Sequence, residues 1–174
     1  FDTSGHRLDA LKPRLARSGL SNVHPAAIAH ERDDRVKRLS GKIDRVLVDA
    51  PCSGLGTLRR NPDLKWRQSL KSVEEMTVKQ AAILQSASKL LKSGGRLVYA
   101  TCSVLPAENE AIADAFTAAN SEFTPLDVGD VLTHLKVADA SKLCSGGENG
   151  LKYLRLWPHR HGTDGFFAAI WQKK

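Results

Sequence analysis

The sequence predicts an α/β domain on a mostly parallel sheet with helices on both faces. Three observations carry this. Ile43 to Asp49 (IDRVLVD) has an apolar centre without alternation, as parallel strands buried on both faces do. Arg96 to Thr101 (RLVYAT) repeats that pattern further along the chain. Helix-period segments lie between and after them, so strand and helix alternate. An antiparallel last strand is compatible with such a sheet.

Taken in order, Gly5 to Gly19 places Leu8, Leu11, Leu15 and Ala16 at helical spacing, with Pro13 as a kink or first-turn residue. Asn22 to Ile28 is a weak strand candidate. His30 to Lys42 is dense in charge and reads as a solvated loop or short helix. Ser72 to Lys92 is the clearest helix, with Ser72 and Glu75 as a capping box and Gly94-Gly95 as its stop. Met76, Ile83, Leu84, Ala87, Leu90 and Leu91 make its apolar face. Pro106 opens another helix, in which Glu108 and Glu110 suit the positive N-terminal end and Ile112, Phe116 and Ala119 face the core. Phe123 to Leu126 is a further strand candidate, and Asp127 to Gly150 reads as variable polar loops. Leu151 to Leu156 and Gly165 to Gln172, joined by PHRHGTDG, form an antiparallel hairpin.

The 174 residues suit one domain with a real core. No apolar run is long enough to cross a bilayer, and no signal-peptide pattern is present. Lys and Arg total 26 against 19 Asp and Glu, a net charge of +7. That excess favours a polyanionic partner, nucleic acid ahead of membrane. Cys52, Cys102 and Cys144 are odd in number and widely spaced, which is not a disulfide framework and contains no CxxC pair. They read as reduced thiols of a cytoplasmic protein. The chain opens on Phe, in FDTSGHRL, like the tail of a strand running into a helix, so a fragment with its natural start upstream is expected.

The informative stretch is DAPCSGLGTLRRNPDLKW, Asp49 to Trp66. Cys52 lies just past the first strand, which ends in Asp49, and Cys102 ends the second in YATCS. Two thiols at the carboxyl ends of parallel strands lie on the rim where open α/β sheets bind ligands. That pairing points to chemistry on an electrophilic carbon. The plain alternative is a pair of inert, small hydrophobes. The residues alone do not rank the two thiols as nucleophile. Gly54 and Gly56 allow tight turns beside them. Cys144 reads as an incidental thiol. His159 and His161, even with Cys144, fit no zinc spacing, so no metal is expected.

The residues DAPCSGLGTLRRNPDLKW, GGRLVYATCSVLPAENE (Gly94 to Glu110) and HGTDGFFAA (His161 to Ala169) resemble the Sun/Fmu-type (RsmB-like) RNA cytosine-5 methyltransferases. The resemblance implies the Rossmann-like sheet of S-adenosylmethionine (SAM)-dependent methyltransferases. Residues 1–174 would be the C-terminal part of one catalytic domain, without the first strand, its Gly-rich loop and the upstream RNA-binding region. It assigns the nucleophile that adds to carbon 6 of cytosine to Cys102, and loss of the carbon 5 proton and enzyme release to Cys52. Asp49 suits the pyrimidine edge near nitrogen 3. Asp2, Asp49 and Pro51 are assigned to the SAM side, Asp2 as acceptor for the ribose hydroxyls, with a helix cap as its plain alternative. Related enzymes often carry an Asp at the adenine; here Ala26 and Ala27 stand near that position.

Arg59, Arg60, Lys65 and Arg67 follow the DAPCSG loop and are expected to hold RNA phosphates, with Trp66 packed beneath them or stacked on a base. The bland reading is a solvated basic loop with a core Trp. Arg32, Arg35, Lys37 and Arg38 read as a solvated face. Asp164-Gly165-Phe166-Phe167 shapes the final turn.

The expected function is methylation of ribosomal RNA, on the small subunit, with this segment inactive alone. The alternatives are an RNA-binding module with a vestigial pocket and, weakly, a cysteine hydrolase, for which no His lies near either thiol in sequence. Without the first strand, Phe1 to Ile28 cannot pair in its usual place, and the open edge of the Ile43–Asp49 strand invites self-association. A compact monomer with a continuous six-stranded sheet would contradict that.

Overall fold

The computed structural model describes residues 1–146 and 152–174. Its strands are β1 (Ile43–Asp49), β2 (Leu91–Thr101), β3 (Phe123–Leu126), β4 (Cys144–Gly146), β5 (Lys152–Leu156) and β6 (Phe166–Lys173). Its helices are α1 (Gly5–Ser18), α2 (Asp34–Lys37), α3 (Leu64–Arg67), α4 (Leu70–Ser88), α5 (Glu110–Ala119), α6 (Val128–His134) and α7 (Pro158–His161). The six strands form one sheet in the order β1-β2-β6-β5-β4, and β3 also pairs with β6.

β1 and β2 pair in parallel, and the other ladders are antiparallel. By direction, β1, β2, β3 and β5 run one way and β4 and β6 the other. The sheet is mostly parallel in sense, with an antiparallel last strand inserted between β2 and β5. β3 and β5 share one edge of β6 end to end: β3 against Ile170–Lys173 and β5 against Phe166–Ala168. The predicted hairpin of β5 and β6 is present over the described residues; Leu151, its predicted first residue, and Gly150, the end of the predicted loop region, lie outside them.

α4 and α5 cover one face. Leu97 and Tyr99 of β2 and Phe167, Ala169 and Trp171 of β6 meet Leu84, Ala113 and Phe116 from these helices in one buried cluster. Phe116 packs edge-on against Trp171 and Phe123, with centroids 5.0 and 5.3 Å apart. The opposite face is not sealed. Leu47, midway along β1, is 67% exposed, while Val48 beside it is buried. The uninterrupted apolar run implies a strand buried on both faces; among the described residues β1's second face is left open at Leu47, and β1 is an edge strand.

Several local expectations shift for physical reasons. The long helix starts at Leu70. Ser69 and Ser72 form its capping box, each side chain meeting the other's backbone N–H, so Ser72 is the third helical residue and not the cap. The helix ends at Ser88. Leu90 and Leu91 therefore leave it, and Gly94-Gly95 lies in an irregularity of β2, where the register jumps from Ile43–Leu91 to Arg45–Arg96. Ala119 is exposed, and Ala113 takes its place in the core. Asp127 to Gly146 is not merely loop: it holds α6 and β4.

Residues 1–28 stay outside the sheet. α1 forms, runs through Pro13, and buries none of its residues. The weak strand candidate is reduced to one parallel bridge, Asp2 to Ala27. The sheet does contain six strands, the count set against this outcome, but none comes from residues 1–28; β4 and the division of one edge into β3 and β5 supply the number.

Candidate active site

The parallel register aligns Asp49 with Ala100, and the Ala50 N–H donates to the Ala100 carbonyl at 2.9 Å. Both chains then leave the sheet at the same level. As a result the Cys52 and Cys102 sulfurs lie 3.4 Å apart, both partly exposed. Asp49 is exposed at the end of β1, and Pro51 is exposed beside it. The two sulfurs and the acid thus share one rim and are neither sealed nor scattered.

The pair is electrostatically unequal. The hydrogen bond from Cys52 brings the Cys102 thiol down to about 7, against opposition from burial and from the Asp49 charge. The hydrogen bond to Cys102, with burial and the charge Cys102 carries, pushes Cys52 strongly up. The direction of both shifts favours Cys102 as the more readily ionised sulfur, while the contact itself is one that either sulfur can donate.

The loop after Cys52 is clamped by backbone. The Gly56 N–H donates to the Cys102 carbonyl at 2.9 Å, and the Gly165 N–H donates to the Gly56 carbonyl at 2.8 Å. A Cβ on Gly56 would lie 2.3 Å from the Gly165 oxygen and 2.6 Å from the Cys102 oxygen, so this approach requires glycine. The DGFF turn thereby supports the cysteine rim from behind.

The largest omission from the sequence reading is Glu108. Assigned to a helix N-terminus, it is fully buried. Its carboxylate accepts from the Ser53 N–H at 2.8 Å, the Ser53 and Ser103 hydroxyls at 2.5 Å each, and the Gln80 amide at 3.1 Å. Gln80 also donates to the Pro51 carbonyl at 2.9 Å. A hint lay in Gln80, a polar residue at helical spacing with Met76, Leu84 and Ala87.

The basic residues separate into different roles. Arg60 pairs with the nearly buried Asp164, and Arg59 donates to the Gly162 carbonyl at 3.2 Å, so both pin the 162–165 turn. Arg67 pairs with Asp63 one helical turn away at 2.8 Å, and Lys65 lies 4.8 Å from the centre of the Trp66 ring. Trp66 is 80% exposed, which excludes a core Trp. Two residues on, the Gln68 amide donates to the Ser53 carbonyl at 2.8 Å, anchoring this segment over the cysteine loop.

Asp2 accepts from the Ser4 N–H at 2.8 Å and from Arg7 at 2.7 Å, and the Ser4 bond leads the causes that hold it below its ordinary range. In this chain it sits just ahead of α1 and is not its cap, the place its plain alternative gave it, because Ser4 is the N-cap. His161 is structural: its Nδ1 accepts from the Trp157 N–H at 2.8 Å, which leaves Nε2 to donate to the Lys142 carbonyl at 3.0 Å. Cys144 sits in β4 opposite Leu154, away from the rim. Among the described residues no cluster of His, Cys, Asp or Glu is arranged to hold a metal, and no helix is long and apolar enough to cross a membrane.

A family model for the 16S rRNA methyltransferase RsmB/F matches residues 1–172. The chain belongs to that family. A probable ribosomal RNA small subunit methyltransferase B from Synechocystis is 37% identical over 99% of the chain, and one from Bacillus subtilis is 32% identical over all of it. The chain spans 36% and 37% of the lengths of these relatives. The crystal structure of NSun6 from Pyrococcus horikoshii with SFG superposes with a TM-score of 0.76 at 29% identity, covering 98% of this chain and 40% of that one. With α4 and α5 on the shared sheet, the fold is that of an α/β methyltransferase.

Proposed function

We propose that the protein is a small-subunit rRNA (cytosine-5)-methyltransferase in which Cys102 forms a covalent adduct with the target base. The observation that carries this is the pair of sulfurs 3.4 Å apart at the ends of β1 and β2, with Cys102 the acidic member. The reading agrees with relatives bearing the name of rRNA small subunit methyltransferases.

Carbon 5 of cytosine is too weakly nucleophilic to take a methyl group from a sulfonium. Addition of the Cys102 thiolate to carbon 6 breaks the 5,6 double bond and leaves an enamine whose carbon 5 can attack. Asp49 meets the pyrimidine edge near nitrogen 3, where charge builds up in the adduct. Once Cys102 is bonded to carbon 6 it carries no charge and no longer holds Cys52 protonated. Two of the three causes that raised Cys52, the hydrogen bond to Cys102 and its charge, are then lifted, and burial remains. Cys52, which is partly exposed, gives its own proton to solvent and as thiolate takes the carbon 5 proton; the double bond re-forms, and Cys102 leaves as thiolate.

The methyl donor is SAM, which supplies an electrophilic methyl on sulfur when bound. SFG, found with the NSun6 relative, is an analogue of it. In this chain Asp49 offers exposed carboxylate oxygens, Pro51 shapes the adjoining loop, and Asp2 is a partly exposed acceptor. These fit the hydroxyl and amino edges of a nucleoside but make an incomplete site, so the chain is proposed to be inactive alone as the C-terminal part of a larger catalytic domain. Lys65, Trp66 and Arg67 carry RNA contact; Arg59 and Arg60 contribute mainly by holding the turn beneath.

The test is trapping. The chain extended at its amino end and carrying Cys52→Ala should accumulate a covalent complex with cytosine-containing RNA, and Cys102→Ala should abolish it. Absence of an adduct with unimpaired RNA binding would favour the non-catalytic RNA-binding module.

A further inference from the structure

We propose that Glu108 is a positioning residue that locks the two cysteine loops together, through the hydroxyls of Ser53 and Ser103, so that the two thiols meet. The inference rests on the reading of Cys102 as nucleophile and adds a residue to it.

Ser53 and Ser103 each directly follow a cysteine, and both hydroxyls donate to the same oxygen of Glu108 at 2.5 Å. The Ser53 N–H fixes the other oxygen at 2.8 Å, and the two hydroxyls themselves lie 3.3 Å apart. Gln80 joins that second oxygen to the Pro51 carbonyl. The residues on both sides of Cys52 are therefore tied to one carboxylate. On the other strand, the Asn109 amide donates to the Ser103 carbonyl at 3.0 Å, and the Tyr99 hydroxyl donates to Glu108's own carbonyl at 2.6 Å. Glu108 is thus held by β2 while it grips both loops.

A fully buried carboxylate is costly unless its oxygens are met by donors. Four donors meet this one, and all come from segments that set the cysteine geometry. A hydrophobic side chain could fill the same space but would remove the carboxylate that both serine hydroxyls share, leaving their mutual contact and the backbone bonds at Ala50 and Gly56 to join the loops. Sulfur-to-sulfur hydrogen bonding is short-ranged, so a small drift of either loop would end it.

The groups facing Cys102 are Cys52, Asp49 and Glu108, and the Asp49 and Glu108 charges both oppose its ionisation. This gives the test a sign. If Glu108 acted only through its charge, removing that charge would make Cys102 more acidic. If it acts by position, loosening the loops weakens the bond from Cys52 and makes Cys102 less acidic.

The measurement is the pH dependence of iodoacetamide modification at Cys102, followed by peptide mass mapping on this chain in a Cys144→Ala background. The variants are Glu108→Gln and the double variant Ser53→Ala/Ser103→Ala, which keeps the charge, and melting curves accompany each. In the parent the midpoint should lie near 7. In folded variants it should rise, slowing modification at pH 7 at least about fivefold as Cys102 approaches an ordinary thiol. An unchanged or lowered midpoint in the double variant overturns the proposal; if Glu108→Gln does not fold, the double variant decides alone. The measurement uses no RNA, so failure of the covalent-adduct reading, scored by trapping, is separable from failure of this one.

Discussion

Gly56 and Gly165 touch backbone to backbone: a Cβ on Gly165 would stand 2.9 Å from the Gly56 Cα. That contact holds the Cys52 loop, the end of β2 and the final turn in one stack. Gly56→Ala should therefore be costly, because both obstructing oxygens belong to backbone that cannot rotate away. A loss of about 1–3 kcal/mol, at the upper end, is expected from such overpacking. Denaturant unfolding measures it, and a variant as stable as the parent would mean the stack is not close-packed.

The sulfur pair makes a proximity prediction. Mild oxidation with diamide should link Cys52 to Cys102 and leave Cys144 free, because sulfurs 3.4 Å apart need only a small approach to bond. Digestion under non-reducing conditions and mass mapping would show the linked peptide. A dominant link through Cys144 would contradict the geometry.

Reactivity should follow the ionisation of Cys102. Its thiolate forms as pH rises through about 7, so alkylation should be slow below that value and level off above it. Cys52→Ala removes the leading cause of the low value and should move the midpoint upward. A Cys52→Ala profile that overlays the parent would show that the neighbouring sulfur does not set it.

The basic segment should split by role. Trp66→Ala leaves the core untouched, so stability should change by no more than about 0.5 kcal/mol, while RNA affinity of the amino-extended protein should fall by about 1–3 kcal/mol if a base stacks there. Arg60→Ala should instead lower stability by about 1–3 kcal/mol, because it leaves the nearly buried Asp164 carboxylate without its charged partner. Filter binding and thermal melts run together separate the two. Equal effects of both substitutions on melting would refute the division.

The open face of β1 should make this chain associate. Leu47 is exposed on β1, which pairs with one neighbouring strand, β2, among the described residues. Sedimentation velocity should show a concentration-dependent increase in size that Leu47→Lys reduces. Monomeric behaviour at high concentration would show that the edge is protected in solution.

Much of this was written locally. Periodicity and turn residues mark β2, α5 and the β5–β6 hairpin, and the joint motifs around Cys52 and Cys102 identify the family, because strand and turn propensities act over a few residues. Burial was less legible. An apolar run such as Val46-Leu47-Val48 looks the same whether one face or two are covered, and Leu47 stands in solvent because no described residue packs over it. Glu108 was misread for the same reason. A glutamate near a helix start is ordinarily a solvated dipole partner, and only the meeting of residues 53, 80, 103 and 108 from separate segments makes it a buried hub. The chain by itself determined which side chains stand at the strand ends; the parallel register of β1 and β2 decided that two of them touch, since hydrogen bonding and desolvation depend on distances that spacing along the sequence does not fix.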